Sequence, residues 1–372
     1  MKIFYYCNFP SPYYIGFLDE LGKLCELTAV FERADSSERD KSWKSFSAPH
    51  IKELIIMHGL HTKADMAFCP QIVKYLKKEK YDAYIIHDPA SPTGMWLIWY
   101  MKIHKIPFIL QSEGGFPGDG KTGIKEKYKH ALMSGAALYL STMSLEREYF
   151  LAYGANPENI VRYPFSSFYQ KDILDSPKSA IEKEAIRFEL GIKEDKVIIA
   201  VGRIIPIKAY DILLEAIKDF DKRVGLYIVS GPATLELEHL VNKYNLSNVH
   251  FIDFMSKNDL WKYYQSADIL ALPTRCDTWG LFVNEAMANG LPVITTDKCV
   301  AGLELIENGK NGFLIHVDDV DDLSNKINVL LSDETVRRYI AKNNIMKIQW
   351  YTFEQQAKVT YDAVIKMKEH NE

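Results

Sequence analysis

The chain carries no internal repeat, no low-complexity tract and no apolar run near the roughly 20 residues that span a bilayer. Its most apolar stretch, Met95 to Met101, falls far short of that length, so an integral membrane protein is not expected. The opening run Lys2 to Cys7 is stopped by Asn8 and Pro10, too soon for the apolar core of a secretory signal. Cysteine is scarce: Cys7, Cys25, Cys69, Cys276 and Cys299 are odd in number, scattered and free of any CxxC pair. That excludes a disulfide framework and a zinc ribbon, and leaves reduced thiols in a cytoplasm as the expectation. A basic excess is also missing: 45 Lys and Arg stand against 49 Asp and Glu, so no nucleic-acid partner is expected. Neither Cys7 to Pro12 nor Gly202 to Lys208 supplies the G-x-G-x-x-G turn of a nicotinamide dehydrogenase. No D-x-D lies between apolar residues, and Asp318, Asp319, Asp321 and Asp322 fall in a polar stretch that reads as solvated loop, so no metal ligand is assigned.

What is there is a globular composition, 47% hydrophobic and 25% charged over 372 residues, long enough for two domains. β-rich runs at Lys2 to Cys7, Glu26 to Phe31, Lys52 to Met57, Asp82 to His87, Pro107 to Gln111 and Ala136 to Leu140 alternate with apolar residues at helical spacing in Ile15 to Cys25 and Pro70 to Lys80. Alternation of this kind predicts a parallel sheet covered by helices. The rhythm lapses from Pro164 to Glu184, a charged helix follows over Ile181 to Leu190, and a second alternation begins at Val197 to Val201. It continues through Gly225 to Val229, Val249 to Ile252, Ile269 to Ala271 and Pro292 to Thr295. The fold expected is α/β, with two Rossmann-like doubly wound domains facing across a cleft. The boundaries read as 1–170, a linker at 171–185, and 186–352, with a final amphipathic helix at about 353–372.

Two clusters carry chemistry. Gly202-Arg203 to Lys208 follows a strand and precedes the helix Tyr210 to Phe220; there Arg offers a planar fork and Lys a point charge to a diphosphate. Ordinary solvated loop cations would look the same. The second cluster runs from Asp277 through Gly280, Leu281, Phe282 and Glu285 to Ile294, with a helix over about Gly280 to Asn289 stopped by Gly290 and Pro292. A helix entered through glycine presents free N–H groups and a partial positive charge, suited to an anion. Asp277 before it and Glu285 one turn inside it could meet different parts of one ligand.

This pair of clusters resembles family 4 of the retaining glycosyltransferases, marked by an acid, seven residues, a second acid and an EAMA-x-G-x-PVI stretch, here Glu285 to Ile294. Leu190 to Lys196 upstream, and Gly302 to Ile306 and Asn308 to Leu314 downstream, fit the same pattern, which covers about half the chain. The resemblance implies a GT-B fold, a final helix crossing back to the first domain, and retention of anomeric configuration without a metal or other cofactor. It gives Asp277 contact with the transferred sugar, Glu285 the ribose, and Arg203 and Lys208 the diphosphate of a donor that is commonly a UDP-sugar. The first acid departs from the family's Glu by one methylene.

In the first half, Asn8 to Tyr14 has Pro10 and Pro12 where the family carries glycines, and Phe31 to Arg33 with Arg39 to Trp43 resembles members that build bacterial surface polysaccharide or capsule. The Gly-rich loop Ser112 to Gly118 surrounds Glu113, which is either a turn acid or the group that receives the acceptor's proton; His87 at another strand end is the lesser candidate. Trp96, Trp99 and Tyr100 read as packing. Basic runs at Lys74, Lys77, Lys78 and Lys80, and at Lys121, Lys125, Lys127 and Lys129, suit a solvated face or, with a lipid-linked acceptor, peripheral contact at the inner face of the plasma membrane. The expected activity is transfer of a hexose or N-acetylhexosamine from a nucleotide diphosphate sugar to a glycan or lipid-linked acceptor. A GT-B nucleotide-sugar epimerase, or a silent nucleotide-sugar-binding protein, are the alternatives.

Overall fold

The computed structural model describes residues 1–34, 47–63, 66–76, 80–87, 89–113, 123–142 and 144–369. Arg39 to Trp43, Lys77, Lys78, Asp88, Gly114 to Gly118 and Lys121 lie outside the described residues. The chain divides into two compact units, Met1–Tyr169 with Tyr351–Glu372, and Gln170–Trp350.

The first unit holds β1 (Lys2–Cys7), α1 (Pro12–Gly22), β2 (Glu26–Phe31), β3 (Glu53–Ile56), β4 (Leu60–Lys63), β5 (Met66–Phe68), β6 (Ala83–His87), α2 (Pro92–Ile103), β7 (Ile109–Gln111), α3 (Ile124–Met133), β8 (Leu138–Ser141), α4 (Ser144–Ala152) and β9 (Ile160–Arg162). Seven of these strands form a parallel sheet in the order β3-β2-β1-β6-β7-β8-β9, and β4 pairs with β5 as an antiparallel hairpin. Pro70–Tyr75, expected within a longer α-helix, forms a 3-10 turn, because its apolar residues dock in the core while Pro70 starts the turn.

The second unit holds α5 (Ala180–Leu190), β10 (Lys196–Val201), α6 (Tyr210–Ala216), β11 (Val224–Val229), α7 (Leu235–Lys243), β12 (Val249–Ile252), α8 (Lys257–Ser266), β13 (Ile269–Ala271), α9 (Leu281–Ala288), β14 (Val293–Thr296), α10 (Val300–Leu305), β15 (Gly312–Ile315), α11 (Val320–Ser332) and α12 (Glu334–Ile348). Its six parallel strands run in the order β12-β11-β10-β13-β14-β15. Central β10 buries Val197, Ile198, Ile199 and Ala200 because helices cover both faces, which is why it reads as a continuous apolar run. Each fully buried Val or Ile contributes about 1.5–3 kcal/mol. Residues 171–185 run with this unit: the Leu174 amide donates to the Ala288 carbonyl, and α5 begins at Ala180 behind a Ser179–Glu182 capping box.

The last helix, α13 (Phe353–Glu369), returns to the first unit and packs along α1. The contact is close because residue 16 is glycine: a Cβ there would sit 2.4 Å from the Phe353 ring. The Phe353 amide donates to the Phe168 carbonyl at 3.0 Å, and Lys368 pairs with Asp82 at 2.6 Å.

In each sheet the chain first winds outward one way and then crosses back to the other side of its first strand. The reversals fall between β1 and β6 and between β10 and β13. Open α/β sheets bind ligands beyond the carboxyl ends of the strands at such switch points.

Candidate active site

The second unit gathers its charged groups at the β10/β13 reversal. Gly202 follows β10 at φ +151, and its carbonyl accepts a 2.6 Å hydrogen bond from Tyr210 Oη, which closes the loop. A 3-10 turn, Pro206–Lys208, and a left-handed Ala209 aim Lys208 back over the loop. There its ammonium pairs with the Asp277 carboxylate and lies 5.5 Å from the centre of the Phe282 ring. Arg203 leaves the same loop as an exposed side chain. Asp277 is fixed by its backbone, its amide donating to the Lys298 carbonyl at 2.9 Å and its carbonyl accepting from the Val300 amide at 3.2 Å.

Helix α9 starts at Leu281 from a left-handed Gly280 (φ +101), and no side chain caps its first turn. A Cβ on Gly280 would lie 2.6 Å from Cys299 Sγ, so a bare backbone is required there on both counts. An α-helix leaves its first N–H groups without intrahelical partners, so the start of α9 has donors and dipole aimed at whatever anion binds before it. One turn on, Glu285 accepts a 3.0 Å hydrogen bond from Tyr264 Oη; burial and the neighbouring Glu285 charge hold that phenol well above its ordinary value. The structure thus brings Lys208, Asp277 and Phe282 together at one end of the sheet, with Gly280, Leu281 and Glu285 on the same loop and helix.

Sequence reasoning missed Arg275. Its guanidinium reaches Asp211 at 2.6 and 3.1 Å, Asp318 at 2.7 Å and the Pro206 carbonyl at 2.8 Å, and its amide donates to the Ile207 carbonyl at 2.7 Å. Arg275 therefore braces the turn that carries Lys208. Asp318, expected to be a solvated loop acid, is half exposed and serves this brace, while Asp319 caps α11. Only long-range pairing defines Arg275, and no local pattern announces it.

The first unit has its own cluster at the β1/β6 reversal. Tyr14 of α1 donates its hydroxyl to the Glu113 carboxylate, and Tyr14 Oη lies 3.4 Å from His87 Nε2. Glu113 is 3.8 Å from the same ring nitrogen, and Cys7 Sγ is 3.5 Å from His87 Nδ1. Burial pushes the His87 imidazole down to about 3, so it is neutral at physiological pH despite the carboxylate nearby. Burial likewise raises the Tyr14 phenol well above its usual range, and the Glu113 charge adds to the rise. Gln111, register partner of His87, is buried with neither carboxamide atom hydrogen-bonded among the described residues. The sequence marked Glu113 and His87 but neither Tyr14 nor Gln111 beside them. Among the described residues no three His, Cys, Asp or Glu side chains gather as ligands for a metal ion would.

Comparison with known proteins bears on this geometry. Residues 182–346 match the family model described as glycosyl transferases group 1. An uncharacterized glycosyltransferase of Methanocaldococcus jannaschii is 28% identical over 292 residues, covering 72% of this chain and 80% of that protein. A D-inositol 3-phosphate glycosyltransferase of Nocardioides is 27% identical over 49% of this chain, which spans only 44% of that relative's length. The crystal structure of Anabaena HepE in complex with UDP and glucose superposes with a TM-score of 0.75 at 20% identity, covering all of both chains, a likeness of fold. The two parallel Rossmann-like sheets of this chain are the GT-B kind.

Proposed function

We propose, from the match of residues 182–346 to glycosyl transferases group 1, that the chain transfers a sugar from a nucleoside diphosphate donor, a UDP-sugar in the first instance. The observation that carries this reading is the meeting of Lys208, Asp277 and Phe282 beside the uncapped start of α9. Breaking the bond between the sugar's anomeric carbon and the diphosphate leaves positive character on the ring and negative charge on the departing UDP. Lys208, Arg203 and the amides of Leu281 and Phe282 stabilise the diphosphate, and because they are held in place beforehand, little reorganisation is needed when the charge develops. Asp277 faces the sugar and Glu285 the ribose. UDP in the HepE complex, a protein of the same fold, supports uracil as the base. The leaving group's charge is met by protein groups in this reading, so the reaction is metal-independent, and it retains the anomeric configuration.

The first unit serves the acceptor, a glycan or a lipid-linked saccharide of cell-surface polysaccharide synthesis. Glu113, held by Tyr14 and next to neutral His87, receives the acceptor hydroxyl's proton. Exposed Trp96, Ile103, Ile124 and Tyr128 lie among Lys102, Lys125, Lys127 and Lys129 on α2 and α3, a mixture that supports peripheral contact with an anionic membrane. No helix among the described residues is long and apolar enough to cross one.

The test is calorimetric titration with UDP, GDP and ADP, followed by incubation with UDP-sugars and candidate acceptors, with the anomer of the product read by NMR. Tight UDP binding and an α-linked product from an α-linked donor are expected. Binding of none of the three nucleotides, or an inverted product, would sink the reading.

A further inference from the structure

The opposite end of the second unit's sheet, where β10, β13 and β14 begin, holds a recess of about 140 Å3. A single water needs only about 10–15 Å3 measured in this way, so the recess takes a polyatomic ion. Its walls come from α5 with Lys183 and Arg187, the turn before β13 with Asp268, the turn before β14, and α12 with Arg337 and Arg338. Asp268 is the buried carboxylate. It lies 2.9 Å from Arg187 Nη2 and 3.6 Å from Lys183 Nζ, and also accepts the Val197 amide at 2.9 Å. Arg337, equally buried, turns its Nη1 onto the Leu330 and Leu331 carbonyls at the end of α11.

Two largely buried cations, Arg187 and Lys183, therefore pair with one buried carboxylate, and a third, Arg337, lines the same recess. Glu184 and Glu334, the other acids of α5 and α12 that line the recess, belong to its rim, and Arg338 pairs with Glu334 at 3.8 Å. Backbone carbonyls also meet these cations, Arg187 donating to Ser266 and Asp195 at 2.9 Å each and Lys183 to Ala267 at 2.5 Å, but a carbonyl carries no countercharge, so the remaining excess of positive charge is sustained most readily where an anion binds. Burial pushes the Lys183 ammonium down to about 8; Asp268 draws it back up, and Arg187 and Arg337 press it lower still.

We propose that this recess binds a phosphate-class dianion, as inorganic phosphate or as the phosphomonoester of a small metabolite. Arg gives a planar fork and Lys a compact charge to the phosphate oxygens. The site is separate from the donor cluster: β10 alone, at about 3.3 Å per residue, puts roughly 15–20 Å between them.

The test is calorimetric titration with inorganic phosphate and with glycerol 1-phosphate, using glycerol and chloride at matched ionic strength as controls. Saturable binding is expected that persists in Lys208→Ala and weakens tenfold or more in Lys183→Met and in Arg338→Ala. Tighter binding of the ester than of phosphate identifies a metabolite as the occupant, and equal or weaker binding identifies phosphate itself. Because Lys183→Met could disturb packing, the titration of Lys183 in the unaltered protein is followed by NMR with 13C-labelled lysine, and its midpoint should rise with phosphate and not with chloride. Absence of saturable binding, binding lost in Lys208→Ala but kept in Lys183→Met, or an unmoved midpoint would overturn the proposal. UDP titration reads the donor assignment independently of all these results.

Discussion

The ammonium of Lys208 closes on the carboxylate of Asp277, tying the loop after β10 to the loop after β13 by an ion pair whose side chains are each 15% exposed. A pair so sheltered gives its members opposite fates when one is removed. Lys208→Ala removes the cation proposed for the diphosphate and leaves a largely buried carboxylate unpaired, so UDP binding should weaken by about 1.5–3 kcal/mol. Asp277→Asn keeps the shape and frees the ammonium, so UDP should bind at least as well while sugar transfer falls. Calorimetry with UDP and a turnover assay separate the two; equal loss of UDP affinity in both variants contradicts a division of labour between diphosphate and sugar.

Glu285→Gln removes the charge proposed to face the ribose but leaves an acceptor for Tyr264 Oη. The dissociation constant of sugar-free UDP should rise several-fold with little change in melting temperature. A large drop in melting temperature with unaltered UDP affinity would make Glu285 a packing residue.

Gly280→Ala asks whether the entry to α9 must be bare. The added methyl meets Cys299 Sγ at 2.6 Å on a backbone of φ +101, so stability should fall by about 1–3 kcal/mol and UDP affinity with it. Denaturant unfolding and UDP titration of one preparation measure both.

In the first unit, Tyr14→Phe and Glu113→Gln should each lower kcat at least tenfold while leaving the affinity for UDP unchanged, since neither residue belongs to the unit proposed to bind the donor. Altered UDP binding in either variant would remove the acceptor assignment.

His87 makes stability depend on pH. Its pKa is about 3 in the folded chain against an ordinary 6.5, so between those values the unfolded chain binds more protons. Stability therefore rises with pH across that window and is lost as pH falls through it, by up to about 1.4 kcal/mol per pH unit from this group. Urea unfolding from pH 7 to pH 4 should show a shallower decline in His87→Gln than in the parent. Identical slopes would mean that other groups govern acid unfolding.

The alternation of apolar strands with helical spacing was legible because β1, β2, β10 and β11 are long and buried on both faces. The edge strand β9, the hairpin β4/β5 and the short β15 were not, although the four-residue edge strands β3 and β12 were. At the site, Gly280, Asp277 and Glu285 declare themselves through order and spacing on one stretch of chain. Tyr14 and Glu113 are 99 positions apart, and Arg275 reaches Asp211 and Asp318 from 64 and 43 away. Such partnerships exist only once the sheets are wound, so local sequence could name Glu113 and still not foresee the phenol that holds it.

The return of α13 to α1 has a consequence for biosynthesis. Gly16 is translated before any of Gln170–Trp350, but the Phe353 ring that fills the groove there is translated only after the whole of that segment. At about 5–20 residues per second that interval is on the order of 10–40 s. During it the first unit waits incomplete, with the flank of α1 uncovered, while the second unit acquires its strands one after another, β15 last. The order in which the two units mature is thus the reverse of the order in which they begin.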